Sequence, residues 1–295
     1  MNALLDVARR QPIIADGAMG TQLQRAGLEP GGSGDLWNLQ HPERILEIQR
    51  RYADAGARIL LTNTFGANRY VLDRYDARDV VVSCNLAGAA IARQAAGDDA
   101  WVLGDIGPFG GFLEPLGEHP AEEVREAFTE QARALIEGRV DGIMIETMTA
   151  LDEVALAIRA ARDAGAPLVI ASMAFDATRA GLRTMMGATP EQAAETMLAA
   201  GADAIGANCG TGLEPADFAE IARRYRTVAP DAVVMVEPNA GRPELVGDVV
   251  VYRAGPESLA AALPRLLDAG VSIIGGCCGT TPEHIRALAE ALGRR

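Results

Sequence analysis

The stretch that decides the fold is AIGANCGTGLEPADFAEIARRYRTVAPDAVVMVE, residues 204–237. It opens with a short apolar run, Ala204–Cys209, and continues into an amphipathic helical segment, Pro215–Tyr225. A second apolar run, Val233–Glu237, closes it. A strand, a helix and another strand in this order are typical of a parallel β-α-β unit.

The same unit repeats along the whole chain. Eight apolar runs rich in Val and Ile predict strands: Pro12–Asp16, Ile59–Thr64, Trp101–Ile106, Gly142–Glu146, Leu168–Met173, Ala204–Cys209, Val233–Glu237 and Ser272–Cys277. Amphipathic segments between them predict helices: Pro42–Ala55, Ala121–Glu137, Leu151–Ala164, Pro190–Ala200, Pro215–Tyr225, Pro256–Ala269 and Pro282–Leu292. Several of these segments begin with Pro followed by Glu and end at Ala-Gly, as helix starts and C-terminal caps do.

Eight such units permit closure into a (β/α)8 TIM barrel, which typically needs about 250 residues. The competing fold is an open doubly wound sheet, but no GxGxxG turn follows the first run. No linker or low-complexity block divides the 295 residues. We therefore predict an α/β protein with one domain, residues 1–295.

Composition and charge limit the cellular environment and the binding partners that we expect for the protein. Apolar residues make up 49% of the chain and aromatic residues only 4%, so the core must be aliphatic. The formal net charge of −13 argues against nucleic acid or an anionic membrane surface as a partner. No apolar run is long enough to span a bilayer, and Met1–Ile14 lacks the charge order of a signal peptide. We predict a cytoplasmic protein with reduced cysteines. The oligomeric state, a homo-oligomer included, is left open.

Polar side chains gather at the predicted carboxyl ends of the strands, where (β/α)8 barrels build active sites. They are Asp16, Asn63, Asp105, Glu146, Asn208, Cys209, Glu237, Asn239, Cys277 and Cys278. Taken singly, each Asp or Asn could equally cap a helix or pin a loop. Ten of them on one rim favour a functional site.

Three of the four cysteines lie at this rim. Cys209 ends the sixth run, and Cys277 and Cys278 end the eighth, one strand apart in a barrel. Three thiolates suit zinc and leave one coordination position open, as in catalytic zinc sites. The alternative is that they are small buried core residues, because no CxxC pair strengthens the metal prediction. Cys84, in the Ala-rich segment Val80–Ala96, is interpreted as core packing.

An open position on such a zinc ion favours a thiol substrate. Zinc lowers the pKa of a bound thiol, and the thiolate is the nucleophile. Three cysteinates give the site a net charge of −1, and a fourth thiolate makes it −2, which keeps electron density on sulfur. Neutral histidine ligands would instead favour activation of water. We therefore expect methyl or alkyl transfer to sulfur.

Motifs spread over the whole chain resemble one family. They are DGAMGT (16–21), TNTF (62–65), GDIGP (104–108), Glu146-Thr147, Asn208-Cys209, VEPNAG (236–241) and GGCCGTTPEHI (275–285), the last highly specific. The chain resembles the zinc-dependent homocysteine S-methyltransferases, in particular the homocysteine-binding barrel that begins cobalamin-dependent methionine synthase. Betaine–homocysteine methyltransferase is a more distant relative.

The resemblance implies a set of site residues. Cys209, Cys277 and Cys278 would bind zinc, and Asp16 and Glu146 would hold the amino group of homocysteine, because two carboxylates suit an ammonium ion. Backbone amides after the first strand, at Gly17, and around Asn63 and Thr64 would receive the substrate carboxylate. Asn239 would offer a weak oxygen ligand when substrate is absent.

The methyl donor is not specified by these motifs. The folate, cobalamin and activation domains of methionine synthase are not in this sequence, so we expect a small-molecule donor or a methyl-corrinoid on a separate protein. With few aromatic residues, no cage for betaine is indicated. We expect residues 110–120 and 179–187 to frame the donor entrance. Two alternatives stay open: a transferase acting on another thiol, and a zinc- or homocysteine-binding subunit that partners a corrinoid protein.

Overall fold

The computed structural model describes residues 3–246 and 249–293, so the ends of the predicted domain 1–295 lie outside the described residues. Eight strands form one sheet: β1 Ile13–Ile14, β2 Ile59–Leu61, β3 Trp101–Ile106, β4 Gly142–Met148, β5 Val169–Met173, β6 Ala204–Asn208, β7 Val233–Glu237 and β8 Ile273–Ile274. A helix follows each strand: α1 Pro42–Asp54, α2 Val81–Ala96, α3 Ala121–Glu137, α4 Leu151–Asp163, α5 Pro190–Ala200, α6 Phe218–Val228, α7 Pro256–Asp268 and α8 Pro282–Ala291.

The sheet closes on itself. All neighbouring strands are parallel, in the order β1-β8-β7-β6-β5-β4-β3-β2. A parallel bridge between Ala15 and Ile59 joins the two ends of this order. The Asp16 N–H adds a 3.0 Å hydrogen bond to the Ile59 carbonyl. The predicted (β/α)8 TIM barrel is confirmed.

Short elements decorate the barrel. Four short helices lie outside the repeat: Ala3–Ala8, Gly20–Arg25, Trp37–Gln40 and Arg69–Asp73. Two 3-10 turns span Arg78–Val80 and Pro215–Asp217. Antiparallel hairpins follow β5 (Asp176–Thr178 with Gly181–Arg183) and β7 (Pro243–Val246 with Val249–Tyr252). Except for Ala3–Ala8, all of these elements lie between a strand and the helix that follows it, on the side where barrel active sites form.

The strand bounds differ from the sequence prediction at β1, β2, β4 and β8, and by one residue at β5 and β6. The predicted strands Pro12–Asp16 and Ser272–Cys277 shrink to two residues each, so Asp16 and Cys277 lie on the loops that follow. After β8 the chain turns at two glycines. A Cβ on Gly275 would lie 2.8 Å from the Asp16 carbonyl, and one on Gly276 would lie 2.6 Å from Thr280 Oγ1. These contacts explain why small residues precede the cysteine pair.

The barrel interior is aliphatic and is closed at its amino-terminal end. Inward-facing side chains such as Ile13, Leu103 and Met144 form one fully buried cluster. Leu4 and Leu5, on the Ala3–Ala8 helix, belong to the same cluster. Because this end is sealed by apolar side chains, the opposite end is where buried polar groups can reach solvent and ligands.

Candidate metal and substrate site

The three cysteines that the sequence singles out meet at the carboxyl end of the barrel. Cys209 follows β6, and Cys277 and Cys278 follow β8. The Cys209–Cys278 and Cys277–Cys278 sulfur pairs are each 3.9 Å apart, and all three sulfur atoms lie within 4.8 Å of one another. Tetrahedral zinc with sulfur at 2.3 Å requires sulfur pairs about 3.8 Å apart. The donor type and the spacing therefore fit zinc.

Backbone geometry fixes the cysteine loops. Cys209 adopts a left-handed φ of 54°, and the next residue, Gly210, has φ 87°. A Cβ on Gly210 would lie 1.9 Å from the Phe175 carbonyl, so this position requires glycine.

The end of β7 and the residues after it join the two cysteine loops. The Cys209 N–H donates to the Glu237 carbonyl over 3.2 Å, and the Cys277 N–H donates to the Pro238 carbonyl over 2.8 Å. The Ala240 N–H in turn donates to the Cys278 carbonyl over 2.9 Å. The last residue of β7 and the loop that follows it thus hold the cysteines after β6 and β8 next to one another.

The three thiols change one another's pKa. Hydrogen bonds from Cys209 and Cys277 lower the pKa of Cys278 to about 3. Hydrogen bonds with Cys209 and Cys278, together with burial, raise the pKa of Cys277 well above its usual value. Three sulfur atoms this close together therefore require a cation before all of them can carry negative charge.

Five carboxyl groups line the same cavity of about 390 Å³: Asp16, Asp35, Asp105, Glu146 and Glu237. Burial raises the pKa of all five, that of Asp35 to about 6 and that of Glu146 to about 8. Repulsion from neighbouring carboxyl groups adds to the effect at Asp16, Asp105 and Glu237. A cavity with this many carboxyl groups of raised pKa gains most from a cationic ligand, which would stabilise their charged form.

Asp16 also has a structural partner. Its Oδ2 atom accepts a 2.9 Å hydrogen bond from the Leu61 N–H at the end of β2. The sequence left two roles open for Asp16: holding a loop in place and lining the site. The same side chain does both.

The residues predicted to receive a substrate carboxylate divide into two groups. Gly17 and Asn63 line the cavity, whereas Thr64 is fully buried and donates its hydroxyl to the Asp105 carbonyl over 2.7 Å. Among the described residues, no hydrogen bond uses the backbone N–H of Gly17, Asn63 or Thr64. The donors of Gly17 and Asn63 therefore remain available to a ligand in the cavity, whereas Thr64 does not line it.

Asn239 lies beside the cysteines but outside the cavity wall. Its Nδ2 donates to the Gly210 carbonyl over 3.0 Å, and its buried Oδ1 has no partner among the described residues. The predicted donor loops, residues 110–120 and 179–187, contribute no side chain to the lining of the 390 Å³ cavity.

Tyr252 is a site residue that the sequence interpretation missed. It ends the second strand of the hairpin after β7, and its phenol is close enough to Cys278 to lower the pKa of that thiol. A Cβ on Gly279 would lie 2.3 Å from the Tyr252 Cβ, so the side chain packs against the cysteine loop. The available signal was Gly247-Asp248 between Leu245-Val246 and the Val-rich run 249–251, a hairpin pattern.

None of the helices in the described part of the chain has the length and apolar character needed to cross a membrane.

Comparison with known proteins assigns the family. Residues 13–292 match the profile of homocysteine S-methyltransferase. The chain belongs to the homocysteine S-methyltransferase family.

Curated relatives include much longer proteins. The chain is 36% identical to the methionine synthase of Mycobacterium leprae over 311 aligned positions, covering 99% of this chain and 25% of that protein. It is 37% identical to the methionine synthase of Mycobacterium tuberculosis over 309 positions, covering 98% and 25%. The chain thus spans about a quarter of the length of these relatives.

Solved structures share the fold. The metallated form of the homocysteine methyltransferase MmuM from Escherichia coli superimposes with a TM-score of 0.76 at 22% identity, covering 98% of both chains. Its oxidized form gives a TM-score of 0.77 at the same identity and coverage. The carboxyl transferase domain of pyruvate carboxylase from Rhizobium etli, at 14% identity, gives 0.53 and covers 97% of this chain and 48% of that one.

Proposed function

We propose that this protein is a zinc-dependent methyltransferase that converts homocysteine to methionine. One observation carries the proposal: three cysteine sulfur atoms within 4.8 Å of one another border the cavity that five carboxyl groups line. A thiophilic metal site beside a cation-binding pocket suits a substrate with both a thiol and an ammonium group. The names of the mycobacterial relatives and of the Escherichia coli structure support homocysteine as the acceptor.

Cys209, Cys277 and Cys278 would hold zinc and leave a fourth position for the substrate. Bound zinc would supply a lowered thiol pKa, so that the homocysteine sulfur attacks as a thiolate. Asn239 would offer its unpartnered Oδ1 to the metal when substrate is absent, because that atom lies beside the cysteine loops with no other use.

Asp16 and Glu146 would bind the substrate ammonium. Burial raises the pKa of both carboxyl groups, so an ammonium bound between them would stabilise their charged form and give a buried ion pair. The free N–H groups of Gly17 and Asn63, which line the cavity, would receive the substrate carboxylate. These contacts would fix both ends of the amino acid and aim its sulfur at the cysteine cluster.

The transfer itself would form a bond between sulfur and the methyl carbon as the bond from carbon to the donor breaks. The electron pair of the broken bond leaves with the donor. A small donor such as a sulfonium compound, or a methyl-corrinoid on another protein, meets this requirement equally. Loops 110–120 and 179–187 carry exposed Phe112, Leu116 and Met185, and we propose that these side chains contact the donor.

The experiment is turnover by zinc-loaded protein given homocysteine and, in parallel, S-methylmethionine, S-adenosylmethionine, betaine and methylcobalamin. Methionine formed from one donor supports the proposal and identifies the second substrate. Homocysteine binding without methionine from any donor favours the binding-subunit alternative. Faster methylation of another thiol favours the alternative acceptor. A cytoplasmic location remains part of the proposal, since all four cysteines are free thiols.

A further inference from the structure

The strand that carries Glu146 is bulged at that residue. Ile145 of β4 pairs with Ala171 of β5, and Met148 pairs with Met173. Two residues, Glu146 and Thr147, therefore stand opposite a single residue between those pairs. Thr147 adopts a left-handed φ of 59°, unusual for a β-branched residue. A bulge of this kind changes the direction in which a side chain points, and such bulges are common beside active sites.

Asn208, at the end of β6, is fully buried and its amide holds this bulge. Its Oδ1 accepts from the Thr147 N–H over 2.9 Å and from the Ser172 hydroxyl over 2.6 Å. Its Nδ2 donates to Thr147 Oγ1 over 2.7 Å and to Glu146 Oε2 over 2.9 Å. Because a backbone N–H can only donate, the side of the amide that faces Thr147 N must be oxygen, and Nδ2 must face the carboxyl group.

We infer that Asn208 is a positioning residue that fixes the Glu146 carboxyl group for the substrate ammonium and so makes the site prefer thiols that carry an amino group. This inference rests on the proposed function. The amide occupies one oxygen of Glu146 and restricts rotation of the carboxyl group. The next residue along the chain is Cys209, so one buried side chain sets the ammonium contact relative to the proposed metal ligands. Its Nδ2 also lies 3.9 Å from Cys277 Sγ.

Substitution of Asn208 separates this role from a general structural one. Asn208→Asp keeps an acceptor for Thr147 and Ser172 but replaces the donor with a second carboxyl oxygen. Two adjacent buried carboxyl groups share one proton and one negative charge, so the charge is spread over both side chains and the donor that fixes Glu146 Oε2 is lost. Asn208→Ala removes both the donor and the acceptor. Both variants should therefore lose selectivity for the amino group, whatever their stability.

The measurement is calorimetric binding to zinc-loaded protein of homocysteine and of 4-mercaptobutanoate, which lacks only the amino group. The wild-type protein should prefer homocysteine, and both Asn208 variants should lose about tenfold or more of that preference, the usual effect of removing a hydrogen bond to a charged group. Affinity for 4-mercaptobutanoate should stay within about twofold, because that ligand makes no ammonium contact. The ratio of the two affinities does not depend on the fraction of folded protein.

Two further variants complete the design. Asn85→Asp is the matched control: Asn85 is equally buried, but its amide donates to the Ala67 and Val81 carbonyls away from the cavity, so the ratio should not change. Ser172→Ala should lower the ratio less than the Asn208 variants, since the Thr147 N–H still orients the amide.

The outcomes distinguish the inference from the proposed function. If the wild-type protein binds both thiols equally, the ammonium site of the proposed function fails and this inference fails with it. If the wild-type protein discriminates and the Asn208 variants discriminate equally well, only the inference is overturned. Loss of zinc from Asn208→Asp would also overturn it, because the role of Asn208 would then lie in the metal site.

Discussion

Cys209 and Cys278 are 69 residues apart in the chain, yet their sulfur atoms are 3.9 Å apart. They come from loops on either side of β7, and the segment after β7 hydrogen bonds to both loops. The site is therefore a property of the closed barrel: three consecutive strands must be in register before the sulfur atoms can meet. A substitution in the loop after β7 should therefore disturb the proposed metal site as directly as a substitution of one of the cysteines.

Removing one cysteine should remove the metal. Cys278→Ala leaves two sulfur ligands, and we expect zinc content to fall from about one per chain to well below that value. Elemental analysis after dialysis against a weak chelator measures this. Cys84→Ala is the control, because Cys84 is fully buried in α2 away from the cluster, and it should keep its zinc. Equal zinc in both variants would mean that the metal is bound elsewhere.

Removing a carboxyl group at the mouth should weaken homocysteine binding. Glu146→Gln and Asp16→Asn each remove a negative charge facing the proposed ammonium, and we expect the dissociation constant to rise about tenfold or more. Asn at position 16 still offers an oxygen to the Leu61 N–H, so folding should survive. Titration calorimetry with zinc-loaded protein tests this. Unchanged affinity in both variants would place the substrate amino group elsewhere.

Glu153 should make stability depend on pH. Burial raises the pKa of this carboxyl group on α4 from 4.5 to about 7, although the Phe109 N–H donates to Oε1 over 2.9 Å. Because the folded-state pKa lies above the unfolded one, the contribution of Glu153 is fully present below pH 4.5 and is lost as pH rises through 7. Glu153→Gln should thus gain up to about 3 kcal/mol over wild type between pH 4 and pH 8.

The check on Glu153 is urea unfolding of both proteins at pH 4.5 and pH 8. Glutamine keeps the Oε1 acceptor for Phe109, so the backbone contact is preserved. The exposed Glu126 serves as the control, since Glu126→Gln should change stability by less than about 0.5 kcal/mol at either pH. A stability difference for Glu153→Gln that is the same at both pH values would show that Glu153 does not titrate in this range.

Gly279 should be required for the contact between the hairpin and the cysteine loop. Ala at this position would place Cβ 2.3 Å from the Tyr252 Cβ, in addition to the cost of φ 80°. Gly165→Ala is a matched control with φ 90° and open space around the new Cβ, so it should cost only about 1 kcal/mol. Gly279→Ala should lower the melting temperature further and weaken zinc binding. Identical effects of the two substitutions would show that Tyr252 can move away from the new Cβ without a cost in stability.

The sequence alone predicted the β-α repeat and the polar residues at the carboxyl ends of the strands, because the periodicity of strands and helices is a local property of the sequence. The eight strands, the position of α2 around Cys84 and the arrival of Cys209, Cys277 and Cys278 at one end all follow from that repeat. Asp16 shows what a local sequence pattern does and does not predict. Its place after β1 was predictable, but its bond to the Leu61 N–H depends on how β1 and β2 close the barrel.

Other features depend on contacts between distant segments. The bulge at Glu146 exists only relative to the register of β5, and the amide that holds it comes from β6. Tyr252 reaches the cluster because a hairpin folds back over the loop after β8, which no local pattern specifies. The backbone amide of Thr64 was predicted to contact the substrate carboxylate, but Thr64 is fully buried and does not line the cavity.

The most direct test is zinc-edge X-ray absorption of the purified protein with and without homocysteine. We predict about one zinc per chain, bound by three sulfur atoms at about 2.3 Å and one lighter atom, with a fourth sulfur replacing the lighter atom when homocysteine is added. A protein that takes up no zinc, or one whose sulfur count is unchanged by homocysteine, would contradict the account.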